Sequence, residues 1–198
     1  MNPRKQKALQ TKEKISKVAL ELFNTKGFNN VTVDEIIEKT STSKGSFYNH
    51  FKSKHDIFAE KFKEIDDYYI NELIPQMEGN MYSFDKLKKF IYMQMTYIEQ
   101  NLGWDVVRTI YEQELNTERT SYFMNPDRPL YEILFNLCEE GIKKHELRQD
   151  LTPNEMVTVL VQAMRGILYD WSISKGNYSL ACEQKKLFDV VIRGMMIT

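Results

Sequence analysis

Apolar residues recur along most of the chain at intervals of three and four positions. No segment shows the alternation of apolar and polar residues that is typical of a half-buried strand. This spacing is typical of helices that bury one face. Two short helices are predicted within residues 32–51. Longer ones are predicted at about 8–26, 53–73, 83–101, 104–118, 129–145, 153–174 and 180–196. The pattern therefore predicts an all-α fold with about nine helices.

The stretch 32–51 has local signals for two helices and a tight turn. Thr32 and Glu35 have the spacing of a capping box at the first helix start, and Ser43 is the next plausible N-cap. Phe47 and Phe51, four residues apart, share one inward face. The exposed positions of the second helix are small, polar or basic, as in a helix that enters the major groove of DNA. The stretch therefore predicts a helix-turn-helix motif.

Gly45 lies inside the second short helix, where glycine costs about 1 kcal/mol relative to alanine. A surface that approaches another backbone closely would justify this cost. The alternative is a short helical hairpin in an ordinary bundle.

The segment Ser-Lys-Gly-Ser-Phe-Tyr-Asn-His-Phe-Lys-Ser-Lys-His-Asp at 43–56 resembles the TetR family of regulators at the end of their helix-turn-helix. The resemblance spans about residues 11–62. The preceding helix fits it through Ile15, Val18, Ala19, Leu22 and Phe23. The chain departs from the family at the turn, where Ser41-Thr42 replaces the usual Gly-Val.

The resemblance implies a helix-turn-helix DNA-binding domain at 1–54 and an effector-binding and dimerisation domain at 55–198. Most members are repressors that leave their operator when a small molecule binds, so repression is the expected function. A transcriptional activator, or a helical adaptor that binds protein rather than DNA, is the alternative. A homodimer would read two half-sites of near-palindromic double-stranded DNA.

The residues expected on or near the DNA surface divide by role. Expected phosphate contacts, which position the protein without reading sequence, are Thr32, Tyr48 and Lys54. Expected base-edge contacts are Lys44, Ser46 and Asn49. Ser43 and Phe47 belong to the same surface by resemblance, although Phe47 is expected to serve the core more than the DNA. His50 is either a phosphate neighbour or a plain surface residue.

The net charge of −1 conceals two opposite halves. Residues 1–54 have 11 Lys+Arg and 5 Asp+Glu (+6), whereas residues 55–198 have 16 and 23 (−7). A basic N-terminal part on an acidic body is typical of a DNA-binding domain fused to another domain. The cations expected to attract phosphates are Arg4, Lys5, Lys7, Lys12, Lys14 and Lys17.

The last two predicted helices are apolar nearly all round, so they should be buried on two sides. One monomer core does not easily cover both sides, and a two-fold partner would. The family resemblance also implies a dimer here, and a larger monomer core is the alternative. The expected interface residues are Leu160, Met164, Leu168, Trp171, Phe188, Val191 and Met195.

The middle helices are rich in aromatic residues and methionine, which line adaptable cavities and also fill ordinary cores. The resemblance implies an effector pocket there. Its expected residues are Tyr92, Met95, Trp104, Tyr111 and Phe135. A flat aromatic or hydrophobic effector is expected, and the acidic residues Glu99, Glu112 and Glu114 favour a cationic one.

Other motifs are missing from the sequence. No apolar run reaches the roughly 18 residues of a membrane span, and no apolar segment follows the basic N-terminus as in a secretory signal. The three histidines lack zinc-ligand spacing, and no phosphate-binding or dinucleotide glycine motif occurs. The sequence predicts a cytoplasmic protein that is not an enzyme and has no metal or cofactor. It favours two buried free thiols over a Cys138–Cys182 bridge.

Overall fold

The computed structural model describes residues 3–77, 79–115 and 121–197. Over these ranges the chain is helical and has no β-strand, as predicted, apart from an isolated bridge between Leu147 and Met196. The nine α-helices of the described ranges are α1 Pro3–Lys26, α2 Val33–Thr40, α3 Lys44–His50, α4 Asp56–Tyr68, α5 Ser83–Asn101, α6 Gly103–Glu114, α7 Pro129–Lys143, α8 Pro153–Ile173 and α9 Leu180–Arg193.

Side chains cap several helix starts as their sequences predict. The Thr152 hydroxyl accepts the Glu155 amide while the Glu155 carboxylate accepts the Thr152 amide, which completes a capping box on α8. At α2 the Thr32 hydroxyl accepts the Glu35 amide at 3.1 Å. The Glu35 carboxylate, which the predicted capping box would direct back to the Thr32 amide, pairs with Lys26.

The helix predicted at 53–73 changes its winding before it ends. It is α-helical only over Asp56–Tyr68, then widens into a π-helical turn at Tyr69–Leu73 and tightens into a 3-10 turn at Ile74–Met77. Pro75 supplies the physical reason, since proline lacks an amide donor and its ring clashes with the carbonyl four residues earlier.

Two other predicted bounds also differ. The first helix begins at Pro3 rather than near residue 8, and α6 ends at Glu114. The predicted end of that helix, at 118, lies outside the described residues, as does part of the polar loop that follows it.

The chain divides into two compact units, one up to Lys63 and one from Glu64 onward, and the division falls within α4. The predicted domain boundary at residue 54 stays a prediction. The first unit packs α1, α2 and α3 around buried apolar side chains. Its fully or nearly fully buried residues include Ile15, Ala19, Phe23, Ile36, Phe47, Phe51, Ile57 and Phe58.

In the second unit, α5 packs along α9 and against α7, while α8 packs on α6, α7 and α9. One hydrophobic core runs through these helices. It includes a buried ion pair in which Arg128 donates to both carboxylate oxygens of Asp66, at 2.8 and 3.2 Å. Such a pair is costly to break from one side, so it fixes the start of α7.

Cys138 and Cys182 are both free thiols. Burial raises the pKa of Cys138 to about 12, so this thiol stays protonated near neutral pH. Cys182 is exposed, which corrects the expectation that both thiols are buried. No described helix is long and apolar enough to cross a bilayer.

Candidate functional site

The turn between α2 and α3 is built by three hydroxyl residues. Thr40 is buried and its hydroxyl lies 2.7 Å from the Ile36 carbonyl oxygen and 2.8 Å from the Thr42 hydroxyl. Ser41 has φ 53° and ψ 39°, a left-handed conformation, and its amide donates to the Glu38 carbonyl. Serine therefore takes the backbone conformation that favours glycine at this turn.

Two phenylalanines anchor α3. Phe47 is 0% exposed and Phe51 is 2% exposed, and their ring centroids lie 5.8 Å apart. A side chain this buried cannot touch DNA while the unit stays folded. The structure thus places Phe47 in the core, which agrees with the expectation that it serves the core more than the DNA.

The opposite face of α3 is open. Ser43, Lys44, Tyr48 and Asn49 are exposed, and Ser46 and His50 are half-buried. The Ser43 hydroxyl is used within the helix start, where it accepts the Ser46 amide at 3.1 Å. A polar face with one exposed aromatic ring is therefore presented by a helix whose apolar face is fixed in the core.

Gly45 lies on this exposed face. A Cβ atom placed there would meet only the Ser43 hydroxyl, at 4.0 Å. Packing within the described part of the unit therefore gives no reason for a glycine. A partner outside the unit that approaches the α3 backbone would supply one.

Lys44 has a partner on α2. Its ammonium lies 3.1 Å from the Asp34 carboxylate, and both side chains are mostly exposed. The hydrogen bond from Lys44 to Asp34, together with the charge of Asp34, raises the pKa of Lys44. An exposed pair of this kind is weak and exchanges readily for another anion.

Lys54 and Thr32 form hydrogen bonds with backbone groups of their own unit. The Lys54 ammonium donates to the carbonyls of Phe28 and Val31, at 2.6 and 2.8 Å, and lies 4.3 Å from the centroid of the Phe28 ring. It therefore holds the segment that leads into α2. Thr32 is exposed, but its hydroxyl caps α2.

Most of the lysines predicted to attract phosphates are exposed on α1. Lys5, Lys7, Lys14 and Lys17 are exposed, whereas Lys12 pairs with Glu60 on α4. Exposed lysines attract phosphates through a long-range interaction that salt weakens.

The five residues predicted for an effector pocket are placed in different surroundings. Met95 is fully buried in the core, and Tyr92 is 41% exposed beside Lys185. Trp104 packs at Gly176, where an added Cβ would come within 2.6 Å of its ring. Of the five, only Tyr92 lines either of the two grooves described below.

The other two predicted pocket residues are also packed into the unit. The Tyr111 hydroxyl donates to the Arg165 carbonyl at 2.7 Å, and its ring meets Phe123 edge-on. Phe135 packs against the core. Burial, with a smaller contribution from Glu114, raises the pKa of Tyr111 in spite of Arg165 nearby.

The three glutamates that suggested a cationic effector already have partners in the chain. Glu99 accepts the amide of Ala181 at 2.9 Å and so caps the start of α9. Glu112 pairs with Arg108. Glu114 accepts the amides of Tyr122 and Phe123, at 3.1 and 3.0 Å. The argument for a cationic effector therefore loses its basis.

Six of the seven residues predicted for the dimer interface are covered within one chain. Leu160, Met164, Leu168, Trp171, Phe188 and Met195 are each no more than 8% exposed, and Val191 is half-buried. The monomer core therefore covers the side of α8 that was predicted to need a partner.

A different side of the same two helices is apolar and open. Val159, Tyr169, Ile173 and Val190 are 43, 50, 59 and 72% exposed. Beside them, α8 and α9 enclose a groove of about 580 Å³ whose lining includes Ala163 and Gly166. The heptad-like spacing 159, 166 and 173 could have identified this face, but the all-round apolar pattern of α8 concealed it.

Residues 15–60 match the family model for bacterial regulatory proteins of the tetR family. IcaR of Staphylococcus aureus (strain Newman), a negative transcriptional regulator of the biofilm operon icaADBC, is 34% identical over 89 residues, which are 45% of this chain and 48% of the relative. IcaR of Staphylococcus epidermidis is 32% identical over 81 residues, 41% of this chain and 43% of the relative. The match thus spans about half the length of these curated relatives.

Solved structures share the fold over nearly the whole chain. The fatty acid degradation regulator FadR of Bacillus halodurans has a TM-score of 0.75 at 17% identity and covers 93% of this chain and 95% of its own. The regulator MbdR of Azoarcus sp. CIB has a TM-score of 0.71 at 22% identity, covering 94% and 100%.

A third structure is FadR of Thermus thermophilus, a TetR-family repressor solved with lauroyl-CoA. It has a TM-score of 0.66 at 19% identity and covers 94% of this chain and 96% of its own. At these identities the structures establish the fold, whereas the match over residues 15–60 identifies the first unit. The N-terminal helix-turn-helix unit therefore matches the tetR family of bacterial regulatory proteins, and the chain as a whole shares its fold with solved regulators.

Proposed function

We propose that this protein is a sequence-specific DNA-binding transcriptional regulator that acts in the cytoplasm, most simply as a repressor. The observation that carries the proposal is the exposed polar face of α3, with Tyr48 at its centre and Phe47 buried beneath it. A short helix fixed from one side and polar on the other can enter a major groove without rearranging its own core. The IcaR relatives, named as negative regulators, support repression.

The contacts divide by chemistry. Lys44, Ser46 and Asn49 offer donors and acceptors for base edges. Tyr48 and the exposed lysines of α1 offer phosphate contacts. Thr32 and Lys54 support the surface from within the unit, because each is already bonded to local backbone. His50, half-buried at the end of α3, lies at the margin of the surface.

The protein would act as a homodimer. The open apolar face of Val159, Tyr169, Ile173 and Val190 is costly to leave in water, and a two-fold copy would cover it. Small residues beside it, Ala163 and Gly166, would let two copies of α8 approach closely. Two copies of α3 would then read the half-sites of a near-palindromic operator.

An effector would control DNA affinity through the second unit. A ligand that binds more tightly to the conformation with poorly spaced recognition helices shifts the population towards it and releases the operator. The structure solved with lauroyl-CoA shows that a repressor of this fold binds a small molecule. That ligand identifies no effector for this chain.

The test is selection of binding sites from a random duplex DNA pool, followed by salt-titrated gel shifts on the selected sequence. The wild-type chain should enrich a near-palindromic sequence, and affinity should fall with salt because bound phosphates release counterions. Tyr48→Ala should lose most of the affinity. The matched control is Tyr82→Ala, which removes another exposed tyrosine, 60% exposed, from the second unit.

The outcomes separate the hypotheses. Enrichment that Tyr48→Ala abolishes and Tyr82→Ala keeps supports the α3 surface. Binding that Tyr48→Ala does not weaken and that is lost at high salt would indicate nonspecific charge attraction instead. A pool with no enriched sequence would favour the helical adaptor over the regulator.

A further inference from the structure

A second groove of the C-terminal unit lies between α5 and α9, on the other side of α9 from the open apolar face. Its volume is about 300 Å³, at the lower end of the roughly 300–1,000 Å³ of small-molecule sites. Phe188 forms part of its wall and is 1% exposed, whereas Tyr92 remains 41% exposed. The groove therefore offers a fixed apolar wall and an open aromatic ring.

The charges around this groove are mainly positive. Lys88, Lys89 and Lys185 line it, against Asp189 as the one carboxylate among its lining residues. Three positive charges against one negative charge leave an excess of two. A ligand carboxylate would therefore meet a favourable potential at the groove.

The cations differ in how they are held. The Lys185 ammonium lies 4.9 Å from the centroid of the Tyr92 ring, within the range of a cation–π contact. The Lys89 ammonium donates to the Gln76 carbonyl at 2.6 Å, and an ammonium has three donors. Lys88 is 2.7 Å from Asp189, whose pKa is lowered by the hydrogen bond and charge of Lys88. Lys185 and Lys89 are the cations with donors best placed for a ligand.

We propose that this groove binds a small planar aromatic carboxylate, with its ring against Tyr92 and Phe188 and its carboxylate beside Lys185 and Lys89. The ring would displace water from the exposed Tyr92 ring, and the carboxylate would gain charge-assisted hydrogen bonds. Lys185 would be shared between the Tyr92 ring and the carboxylate. The proposed ligand is negatively charged, whereas Glu99, Glu112 and Glu114 had suggested a cationic one. Those glutamates have partners within the chain, and the lysines line a groove.

This site goes beyond the proposed DNA-binding function, and its test contains no DNA. The probe is 1-naphthoate, titrated into the full-length protein by isothermal calorimetry. The neutral isostere 1-naphthamide has the same ring system without the charge. The variants are Lys185→Gln and Tyr92→Leu, with Lys186→Gln as the matched control. Lys186 is the next lysine of α9 and lines the groove with α8 instead.

The proposal expects saturable binding of 1-naphthoate. Lys185→Gln should weaken it about fivefold, the scale of one exposed ionic and cation–π contact. Tyr92→Leu should weaken it by a similar factor, and Lys186→Gln should leave it unchanged. The amide should bind about tenfold more weakly than the carboxylate, since it loses the charge.

Three results would overturn the site. They are the absence of saturable binding up to the solubility of the probe, equal binding of amide and carboxylate, and equal effects of Lys185→Gln and Lys186→Gln. Because no result depends on DNA, failure here leaves the regulator hypothesis intact. Failure of the site selection likewise leaves the groove intact.

Discussion

The two compact units expose apolar side chains in different ways. In the first unit, Phe47 of α3 and Phe51 at its C-terminus are almost completely buried. The solvent-exposed face of α3 is polar and has one tyrosine. In the second unit, α8 buries one apolar side in the core and leaves Val159, Tyr169 and Ile173 open. Polarity therefore distinguishes core from contact on α3. On α8 both sides are apolar, so only the packing distinguishes them.

The largest difference in stability should be between alanine variants of two neighbouring residues on α3, the buried Phe47 and the exposed Tyr48. Phe47→Ala should lower the free energy of unfolding of the first unit by about 3–5 kcal/mol, because it leaves a cavity in the core. Tyr48→Ala should change it by about 0.5 kcal/mol or less, since the side chain is on the surface. Amide hydrogen exchange of residues 32–51 measures both locally.

The same two variants should also differ in DNA binding. Tyr48→Ala should lose DNA affinity and keep its amide protection, whereas Phe47→Ala should lose DNA affinity and amide protection together. Equal protection in the two variants would contradict the assignment of Phe47 to the core.

The next effect concerns the open face of α8 and α9. Val190→Asp should raise the dimer dissociation constant roughly a hundredfold or more, because a two-fold interface would bury the carboxylate twice without a partner. Sedimentation velocity over a concentration series measures this. Tyr82→Asp, at an exposed position that precedes α5, is the control.

Helical content should stay unchanged in Val190→Asp, since Val190 is 72% exposed in the single chain. If the dimer persists in Val190→Asp but is lost in a variant of another face, the interface lies elsewhere. The prediction thus tests whether exposure identifies the contact side of an all-round apolar helix.

Sequence and structure agree where the signals are local. The helix starts at Thr32, Ser43 and Thr152 follow from side chains that accept the amide three residues later, and such contacts depend on a few neighbouring residues. The π-helical turn before Pro75 was not predicted, because a proline signals a helix end without stating how the winding adjusts.

The candidate sites depended on contacts between distant segments, and there the sequence was less informative. Lys54 looked like a phosphate ligand, yet it bonds to carbonyls 23 and 26 residues earlier. Glu99 suggested a cationic effector, yet it caps the distant helix that begins at Leu180. No periodicity reveals which partner a charged side chain finds across the fold.

Gly45→Ala is a smaller test that separates stability from function. Alanine should stabilise α3 by about 1 kcal/mol, because it has less backbone entropy to lose and open space to occupy. Affinity for selected DNA should nevertheless fall, since the methyl group would stand between the α3 backbone and the duplex. Hydrogen exchange and gel shifts on the same preparation give both values.

The control for Gly45→Ala is Thr25→Ala, which raises helix propensity at an exposed position of α1 outside the predicted DNA contacts. If Gly45→Ala gains stability and keeps full affinity, the close approach of α3 to DNA is not the reason for the glycine.

The smallest predicted change is at the turn itself. Ser41 has a left-handed backbone at φ 53°, which costs a residue with a Cβ about 1–2 kcal/mol. Glycine would remove that cost but lose about 0.5–1 kcal/mol through the greater entropy of the unfolded chain. The two terms leave a net stabilisation of about 0.5 kcal/mol for Ser41→Gly, measured by exchange of the α2 and α3 amides. Ser43→Ala, which removes an N-cap, should instead destabilise by about 1 kcal/mol. A loss of stability in Ser41→Gly would mean that the exposed serine side chain stabilises the turn by more than its backbone strain costs.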